Sequence, residues 1–415
     1  MTFHALKDII GTKSRVLEKK RIVLCITGSV AAIRSPEIAR ELMRNGAEVY
    51  PVMTENAQLI IHPYAMEWAT GNSCVTKLTG RVEHVMLAGE HQEKADLILI
   101  APSTANTIGK IANGIDDTPV TTFVSTAFGA DIPIMLVPAM HASMYKHPIV
   151  LDNIKLLRSL GIDFIGPRVE DGKAKIADTE EIVDSVIRKL STRKDLDKQK
   201  FIVTAGPTFE YIDPIRIITN QSSGKMGMAI AEEALSRGAK VTIIYGPGSA
   251  RPPFSAKVIN VKTTKEMFDA VVEELKKEHC SCFIATAACA DWAPETSYTK
   301  KVSTHTTEHL DLRLKSTPKI IDMVKTVSSK TFLVAFKAEH DVSDDSLINT
   351  AHERLVKANA DLVVANDVGR RGVGFKVDTN EVFIVDREKE TVHVPLASKR
   401  EVAMKLVNVI QKKIM

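Results

Sequence analysis

One structural plan occurs twice along the chain: an apolar strand, a turn of small residues, an amphipathic helix ending near glycine, and a second strand. The first copy is "RIVLCITGSVAAIRSPEIARELMRNGAEVYPVMT" (residues 21–54), with Ser35 predicted as the helix N-cap and Pro36 as its first residue. The second copy spans residues 200–247 and has a far longer loop after its first strand. Continuous apolar runs follow in each half, as in parallel strands covered on both faces. The sequence therefore predicts an α/β fold of two doubly wound, mainly parallel-sheet (Rossmann-like) domains.

A charged stretch is predicted to separate the two domains. A chain of 415 residues is too long for a single hydrophobic core of ordinary size. The stretch "IRKLSTRKDLDKQK" (residues 187–200) carries six basic and two acidic residues, and we interpret it as a solvated linker rather than a binding patch. The predicted organisation is a first domain over residues 1–190, a linker over 191–198 and a second domain over 199–415.

Composition and charge exclude several classes of protein. The 55 basic and 51 acidic residues leave a net charge of +4, without the bias of a duplex nucleic-acid binder. No apolar run approaches the roughly 18 residues that span a bilayer, and the N-terminus does not read as a signal peptide. The five cysteines form no C-x-x-C pair, which fits a reducing compartment and argues against zinc. We expect a soluble, cytoplasmic protein with no nucleic-acid and no membrane partner.

The stretch "ITNQSSGKMG" (residues 218–227) is the strongest candidate for an anion-binding loop. Its hydroxyls, glycine and lysine precede a helix whose first N–H groups suit a phosphate: Ser222, Ser223, Gly224 and Lys225. It is not a Walker A loop, because Thr219 stands at the first glycine position and Met226 follows the lysine. The G-x-G-x-x-G turn is missing from both halves, which disfavours a standard kinase, GTPase or nicotinamide dehydrogenase. A serine-capped helix with a surface lysine is the structural alternative.

Longer motifs carry a resemblance to a known family. The second half resembles phosphopantothenate–cysteine ligase in "TAGPTFEYIDPIRIITNQSSGKMG", "ATAACADW", "KKVS", "STPKII", "LVAFKAE" and "KANADLVVANDV". The first half resembles phosphopantothenoylcysteine decarboxylase in "CITGSVAAIRSPE", "VMTENA", "EHVML", "DLILIAPSTANTIGKIANGI" and "VPAMHASMY". In this order the halves are similar to the bifunctional proteins of coenzyme A biosynthesis, over nearly the whole chain. The start of the chain is more similar to archaeal than to bacterial members.

The resemblance implies that the second half activates 4′-phosphopantothenate with CTP. An acyl-cytidylate and pyrophosphate form, and the amine of L-cysteine then displaces CMP. Asn220 occupies the position that contacts the acyl-cytidylate, where a side-chain amide can donate to an oxyanion; an asparagine of an ordinary turn is the alternative. Lys301 matches the triphosphate lysine, with Lys300 as the alternate in register, and would neutralise charge on the departing pyrophosphate.

Further positions of the second half match nucleotide contacts of the family. They are Ala287, Asp291, Pro318, Lys319, Ile320, Ile321, Phe336 and Lys357. Glu353 stands where some relatives carry a further lysine, and Asp291 as a helix-start aspartate is the structural alternative. A triphosphate reaction requires a divalent cation, most simply Mg²⁺, but the sequence does not single out its ligands. The preference for CTP over other nucleotides is also implied by the family alone.

For the first half, the resemblance implies FMN and a fold of the flavin-dependent cysteine decarboxylase type. The expected cofactor residues stand at predicted strand ends: Gly28, Ser29, Thr54, Ser103, Thr104 and Asn106. A flavin is needed because direct decarboxylation of a β-thiol acid leaves an unstabilised carbanion. Oxidation of the thiol to a thioaldehyde supplies an electron sink, and reduced flavin later returns the electrons to the enethiol.

Two histidines match substrate-contacting positions of the decarboxylase half. His84 matches the catalytic histidine and is expected to act as a base on the thiol side of the substrate; a structural histidine at a helix start is the alternative. His141 stands where bacterial relatives carry an asparagine that grips the substrate carboxylate. The flap that bears an acidic cysteine in those relatives corresponds to residues 166–181, which contain none. Lys173 and Lys175 are candidate proton donors, but nothing in the sequence decides between them, and the acid of the last step is unknown.

Three rival functions compete with the bifunctional enzyme. The chain could be a ligase whose first half is only a flavin-binding scaffold, a regulatory flavoprotein, or a nicotinamide-dependent reductase. The intact ligase motifs and His84 favour the bifunctional enzyme, and the missing glycine fingerprint disfavours the reductase. The resemblance also implies a homo-oligomer, a dodecamer in which ligase dimers are joined by trimeric decarboxylase domains.

Overall fold

The structure is a computed structural model that describes residues 7–170, 173–191, 193–303 and 309–415. The chain divides into two compact units, Met1–Ser191 and Thr192–Met415. Each unit contains a mainly parallel sheet with helices, so the predicted fold class is confirmed. None of the helices in the described ranges is long and apolar enough to cross a membrane.

The first unit is built on a parallel sheet. Its strands are β1 Arg21–Ile26, β2 Glu48–Met53, β3 Leu97–Ser103, β4 Ile134–Pro138, β5 Met140–His141, β6 Asp163–Phe164, β7 Arg168–Glu170 and β8 Lys173–Lys175. Its helices are α1 Ser35–Arg44, α2 Glu55–Gln58, α3 Pro63–Thr70, α4 Glu83–Ala88, α5 Ala105–Ala112, α6 Pro119–Gly129, α7 Ala142–Tyr145, α8 Pro148–Ser159 and α9 Thr179–Leu190. The parallel sheet has the order β2-β1-β3-β4-β6, and β5-β8-β7 form an antiparallel sheet.

The second unit has a larger sheet. Its strands are β9 Lys200–Ala205, β10 Phe209–Tyr211, β11 Ile217–Thr219, β12 Lys240–Tyr245, β13 Lys257–Asn260, β14 Cys282–Ala285, β15 Trp292–Pro294, β16 Leu314–Ser316, β17 Phe332–Glu339, β18 Leu362–Asp367, β19 Thr379–Asp386 and β20 Thr391–Ser398. Its helices are α10 Lys225–Ser236, α11 Thr264–Lys277, α12 Ile320–Val327, α13 Asp344–Ala358 and α14 Lys399–Ile414. The main sheet has the order β13-β12-β9-β14-β17-β18-β19-β20, in which the β18–β19 and β19–β20 pairs are antiparallel and the other pairs are parallel. Strands β10 and β11, and β15 and β16, form two separate antiparallel pairs.

Both faces of each main sheet are buried, as the continuous apolar strands predict. In β1, Ile22, Leu24 and Ile26 belong to one core cluster, whereas Val23 and Cys25 belong to another. Successive side chains of a strand point to opposite faces, so a strand between two helical layers must be apolar at every position. The strands of the second unit likewise contribute to two clusters. This layering leaves the strand ends as the place for polar side chains.

The N-terminus of α1 differs from the prediction. Ser35 has helical dihedral angles (φ −61°, ψ −36°), and its hydroxyl donates to the carbonyl of Ala101 at 3.0 Å. A short 3₁₀ helix, Val30–Arg34, precedes it, and the hydroxyl of Ser29 accepts from the N–H of Ala31 at 3.4 Å. Ser35 as the N-cap is therefore wrong: it is the first residue of α1, and Ser29, six residues earlier, caps the 3₁₀ helix that leads into α1.

Part of the charged stretch between the domains packs into the second unit. Leu196 is fully buried in a core cluster of that unit. Asp195 accepts two hydrogen bonds from the guanidinium of Arg237, at 2.8 and 2.6 Å. The stretch is therefore not solvated throughout, because its apolar residue and one of its carboxylates are used by the second unit. The boundaries at 190 and 199 stay a prediction.

Close packing of α10 on the sheet depends on Gly227. A Cβ atom at this position would lie 2.5 Å from Thr286 Oγ1 and 2.6 Å from the Cβ of Ala205. We expect Gly227→Ala to lower the free energy of unfolding by about 1–3 kcal/mol through overpacking, measured by urea denaturation of the full chain. Gly129→Ala is the matched control, since a Cβ there meets nothing within 4 Å. Unchanged stability of Gly227→Ala would contradict this account of the packing.

Candidate active sites

A cavity of about 540 Å³ lies in the second unit, beyond the carboxyl ends of β9, β14, β17 and β18. Ligands bind in this place in open α/β sheets. Twelve of the predicted positions line it: Asn220, Ser222, Ser223, Gly224, Lys225, Ala287, Asp291, Pro318, Lys319, Ile320, Ile321 and Phe336. The fold thus brings together residues that are up to 116 positions apart in the sequence, from Asn220 to Phe336.

Two predicted lysines are not among the residues that line this cavity. Lys301 is exposed, as is its alternate Lys300, and it precedes residues 304–308, which lie outside the described part. Lys357 is exposed on α13, and Arg354, one turn earlier on the same helix, lines the cavity instead. Arg354 and Lys357 are three residues apart and lie on the same side of α13, so Lys357 misses the cavity because it is one turn further along the helix. The roles of Lys301 and Lys357 stay predictions.

The candidate phosphate loop begins α10 with a left-handed glycine. Gly224 is the N-cap with φ 83°, and a Cβ there would also lie 2.9 Å from the ring of Tyr245. The helix is therefore not capped by a serine at its N-cap position, as the structural alternative required. The hydroxyl of Ser222 accepts from the N–H of Gly224 at 3.3 Å, and that of Ser223 accepts from the N–H of Lys225 at 3.4 Å.

The donors of this loop contact a second loop, residues 374–378, which we call the acceptor loop. The hydroxyl of Ser223 donates to the carbonyl of Phe375 at 2.6 Å. The ammonium of Lys225 donates to the carbonyl of Lys376 at 3.3 Å and to the carboxylate of Asp378 at 2.6 Å. Part of the donor set that the sequence assigned to an anion is therefore paired with protein oxygens in this structure.

The orientation of Asn220 and the charges of the lining side chains indicate which kind of ligand the cavity can bind. The side-chain amide of Asn220 donates to the carbonyl of Cys289 at 2.8 Å, which orients its Nδ2. Asp291 is the sole carboxylate among the described lining residues, and it forms an ion pair with Lys319. Five cationic side chains line the cavity: Lys225, Lys319, Lys337, Arg354 and Lys399. This excess of positive charge suits a polyanion such as a nucleoside triphosphate.

Several lining residues were missed by sequence reasoning. Asn366 follows the apolar run of β18, so the rule that ligands bind at strand ends could have found it. Asn380 and Lys399 lie at the start of the antiparallel strand β19 and of the last helix, where that rule does not apply. Lys337 directly follows Phe336 in the motif "LVAFKAE", which could have indicated it, whereas Arg354 carried no distinguishing signal in the sequence.

In the first unit, side chains tie the ends of β1, β3 and β4 together. The hydroxyl of Thr27 donates to the carbonyl of Pro102 at 2.9 Å and accepts from the N–H of Thr104 at 3.1 Å. The hydroxyl of Ser29 donates to the carbonyl of Ala139 at 3.2 Å. The turn after β1, which the sequence assigned to the flavin phosphate, is therefore held against the two neighbouring strand ends.

The turn at Gly28 has room only for a glycine. A Cβ at Gly28 would lie 2.6 Å from the Cβ of Asn56. Thr54 is buried and caps α2, its hydroxyl accepting from the N–H of Ala57 at 3.3 Å. The backbones after β1 and β2 thus approach closely, as they do where a dinucleotide or flavin phosphate meets the backbone.

Among the predicted site residues of the first unit, two buried polar atoms have no hydrogen-bond partner in the described part of the chain. They are the hydroxyl of Ser103, at the end of β3, and Nδ1 of His84, in the first turn of α4. Next to Ser103, Thr104 caps α5, and Asn106 is exposed on that helix. Unpaired buried polar atoms indicate a missing partner, so these residues fit a bound polar group such as a flavin.

His141 lies beside the segment that corresponds to the flap. It caps α7 through Nδ1, which accepts from the N–H of Ser143 at 3.3 Å and lies 2.8 Å from the hydroxyl of that serine. Strand β5 pairs antiparallel with β8, which places Lys173 opposite His141 in the ladder. The side chain of Lys173 lies outside the described residues, and Lys175 is exposed.

No metal centre is identified. Within the described ranges there is no group of three or more His, Cys, Asp or Glu that could hold an ion. The cysteines of the chain are all free thiols, and burial raises the pKa of Cys280 to about 12. A magnesium ion bound mainly by phosphate oxygens requires few protein ligands, and Asp291 is the carboxylate that the cavity offers.

A flavin-type unit and a cationic nucleotide-sized cavity define a two-domain flavoprotein. Residues 10–191 match the family model described as Flavoprotein, and residues 196–414 match the DNA/pantothenate metabolism flavoprotein C-terminal domain. The chain belongs to the family of coenzyme A biosynthesis bifunctional proteins CoaBC, which confirms the resemblance seen in the sequence.

Two relatives show this family membership, and one solved domain is similar to part of the chain. The chain is 52% identical over 409 residues to the coenzyme A biosynthesis bifunctional protein CoaBC of Thermococcus kodakarensis, covering 99% of both chains. It is 38% identical to the protein of that name from Methanocaldococcus jannaschii, covering 99% of this chain and 98% of the relative. A solved C-terminal domain of a CoaBC protein is 31% identical, covers 53% of this chain and 98% of its own, and superposes with a TM-score of 0.44.

Proposed function

We propose that the chain catalyses two consecutive steps of coenzyme A biosynthesis. The second unit ligates L-cysteine to 4′-phosphopantothenate with CTP through an acyl-cytidylate, and the first unit decarboxylates the resulting phosphopantothenoylcysteine to 4′-phosphopantetheine with FMN. The observation that carries the proposal is the cavity with five cationic side chains and one carboxylate at the strand ends of the second unit. Similarity to bifunctional relatives over 99% of the chain supports activity of both halves rather than of the ligase alone.

In the ligase unit, some cavity residues neutralise the charge of the phosphates, and others position groups at the reacting atoms. Lys225 and Lys319 neutralise phosphate oxygens, because each already holds a carboxylate that a phosphate can replace. Asn220 presents its amide to the oxygen that becomes negative during nucleotidyl transfer. Lys301 and Lys357 would complete the phosphate contacts from outside the cavity described above. Mg²⁺ accompanies CTP and is held mainly by its phosphates.

In the decarboxylase unit, FMN is held at the strand ends by Gly28, Ser29, Thr54, Ser103, Thr104 and Asn106. Bound FMN supplies a reversible two-electron oxidant, which makes loss of CO₂ from a β-thiol acid possible. His84 takes the proton on the thiol side of the substrate. Nδ1 of His141 accepts from Ser143, so the neutral ring carries its proton on Nε2 and can donate it to the substrate carboxylate. The acid of the last step is not assigned; Lys173 and Lys175 are candidates for it.

One assay tests this proposal on the purified full chain. The protein should be yellow, and with phosphopantothenate, cysteine and CTP it should release CMP and CO₂, which are followed separately. CMP release by a colourless protein that forms no CO₂ would leave the ligase alone. A yellow protein that forms neither product would overturn both assignments and favour a regulatory flavoprotein.

We further propose that the enzyme acts in the cytoplasm as a homo-oligomer, a dodecamer of ligase dimers and decarboxylase trimers. The 28 exposed large apolar side chains of the described residues supply surface for such contacts. Light scattering of the purified chain gives the mass, and a monomer at micromolar concentration would refute the assembly.

A further inference from the structure

Lys399 is a cavity residue that no motif of the sequence singles out. It is the first residue of α14, and it is buried, with 7% of its surface exposed. Its ammonium donates to two carbonyls of the acceptor loop, those of Gly374 at 3.0 Å and Val377 at 2.5 Å. The residue also lines the cavity, as does Gly374, one of the two acceptors of its ammonium, so Lys399 is both buried in the protein and adjacent to the space proposed for the nucleotide.

Lys399 differs from the other four cations of the cavity in its partners. Each of the four forms an ion pair with a carboxylate: Lys225 with Asp378, Lys319 with Asp291, Lys337 with Glu339 and Arg354 with Asp322. For Lys399, the hydrogen-bond acceptors found in the described part of the chain are neutral carbonyls. Burial of a charged group without a counter-ion is unfavourable in free energy. An anion bound next to this lysine would offset that cost.

The acceptor loop places Lys399 close to the candidate phosphate loop. Lys225 donates to the carbonyl of Lys376, which lies between the two residues whose carbonyls accept from Lys399, Gly374 and Val377. Both ammonium groups therefore contact one short segment at one end of the cavity. Two cations held side by side suit the adjacent phosphates of a polyphosphate chain better than a single carboxylate.

We propose that Lys399 is a further binding residue for the polyphosphate of the nucleotide, which serves as the counter-ion that the buried ammonium lacks. This inference deepens the proposed ligase function and rests on it. On nucleotide binding, a phosphate oxygen accepts a hydrogen bond from Lys399. This bond replaces part of the hydrogen bonding between Lys399 and the carbonyls of the acceptor loop. The residue then acts on binding of CTP rather than on the chemistry at Asn220.

The titration of Lys399 makes this proposal measurable. Burial, and next the positive charge of Lys225 on α10, lower the pKa of Lys399 to about 8, against an opposing effect of Asp378 on the acceptor loop. The ammonium is therefore charged below about pH 8 and loses its proton above it. Because phosphate binds the charged form, affinity for CTP is full below this pKa and declines as the pH rises through it.

The test is CTP binding to the full chain by isothermal titration calorimetry at about pH 7.5 and about pH 9.5, with Mg²⁺ held constant. The wild type should lose affinity by about tenfold or more between these values. Lys399→Gln, which keeps a donor for the carbonyls but no charge, should bind about 10- to 100-fold more weakly at the lower pH, with a flat pH dependence. Lys399→Arg should bind well at both, because guanidinium stays charged.

A matched control and a fold readout decide the outcome. Lys405→Gln changes an exposed lysine on the same helix and should bind CTP as the wild type does. If Lys399→Gln binds like the wild type with the same pH dependence, Lys399 only fixes the acceptor loop and the inference fails. If Lys399→Gln does not fold, a pH dependence of Lys399→Arg equal to that of the wild type refutes it. Wild-type protein without CTP affinity would refute the proposed ligase function itself.

Discussion

Replacement of His84 by asparagine is expected to abolish CO₂ release while CMP formation continues at the wild-type rate. Asparagine retains a hydrogen-bonding side chain of similar size but cannot take a proton near neutral pH. Nδ1 of His84 is buried without a partner among the described residues, which is consistent with a group that acts on a bound substrate. Loss of general-base catalysis should lower the decarboxylation rate by about 10²- to 10⁴-fold, measured by release of labelled CO₂.

His62→Asn is the matched control for this variant. His62 is exposed in the same unit and caps α3 through Nδ1, a position where asparagine is an equally good cap. It should decarboxylate normally. Retained flavin absorbance in His84→Asn shows that the cofactor site is intact. An equal loss of CO₂ and CMP would refute the assignment of the two reactions to separate halves.

Asn220→Asp is expected to lower CMP release by about 10²- to 10³-fold and to spare decarboxylation of supplied phosphopantothenoylcysteine. The amide of Asn220 donates to the carbonyl of Cys289 at 2.8 Å. An ionised aspartate cannot donate, so it repels that carbonyl as well as the negative oxygen of the reacting carboxyl group. The measurement is CMP formation with phosphopantothenate, cysteine and CTP at saturation.

The control for this change is Asn349→Asp, on α13 of the same unit. Asn349 is exposed, and its side-chain oxygen accepts from Lys389 at 2.7 Å, a bond that aspartate keeps. This variant should ligate as the wild type does. If Asn220→Asp also ligates normally, Asn220 has no role in stabilising the acyl-cytidylate or its formation.

Strand-end positions were the most predictable part of the site. The continuous apolar runs predict buried parallel strands, and polar residues directly after them must lie at one edge of a sheet. This reasoning, with the family motifs, accounts for Asn220, Ala287 and Asp291 at one cavity. It also places Thr54 and Ser103 at the ends of β2 and β3, the two strands that flank β1 in the first unit.

The failures have physical causes that a local pattern does not contain. Which turn of α13 reaches the cavity depends on where the helix packs along the sheet, and the turn that bears Arg354 lines the cavity while that of Lys357 does not. Ser35 is helical rather than a cap because the 3₁₀ helix Val30–Arg34 leads directly into α1. Leu196 lies within the predicted linker but packs into the second unit, because a core cluster of that unit buries its apolar side chain.

The amino-acid sequence by itself determined the two doubly wound domains and the loops that bear their chemistry, because strand and helix periodicity and turn residues act over a few neighbouring positions. Tertiary structure alone decided which charges share the cavity. Lys225 and Lys399 are 174 positions apart, yet they meet on the acceptor loop because α10 and α14 pack side by side. The burial and the electrostatic environment of these two lysines depend on segments that are far apart in the sequence, so no local sequence pattern predicts them.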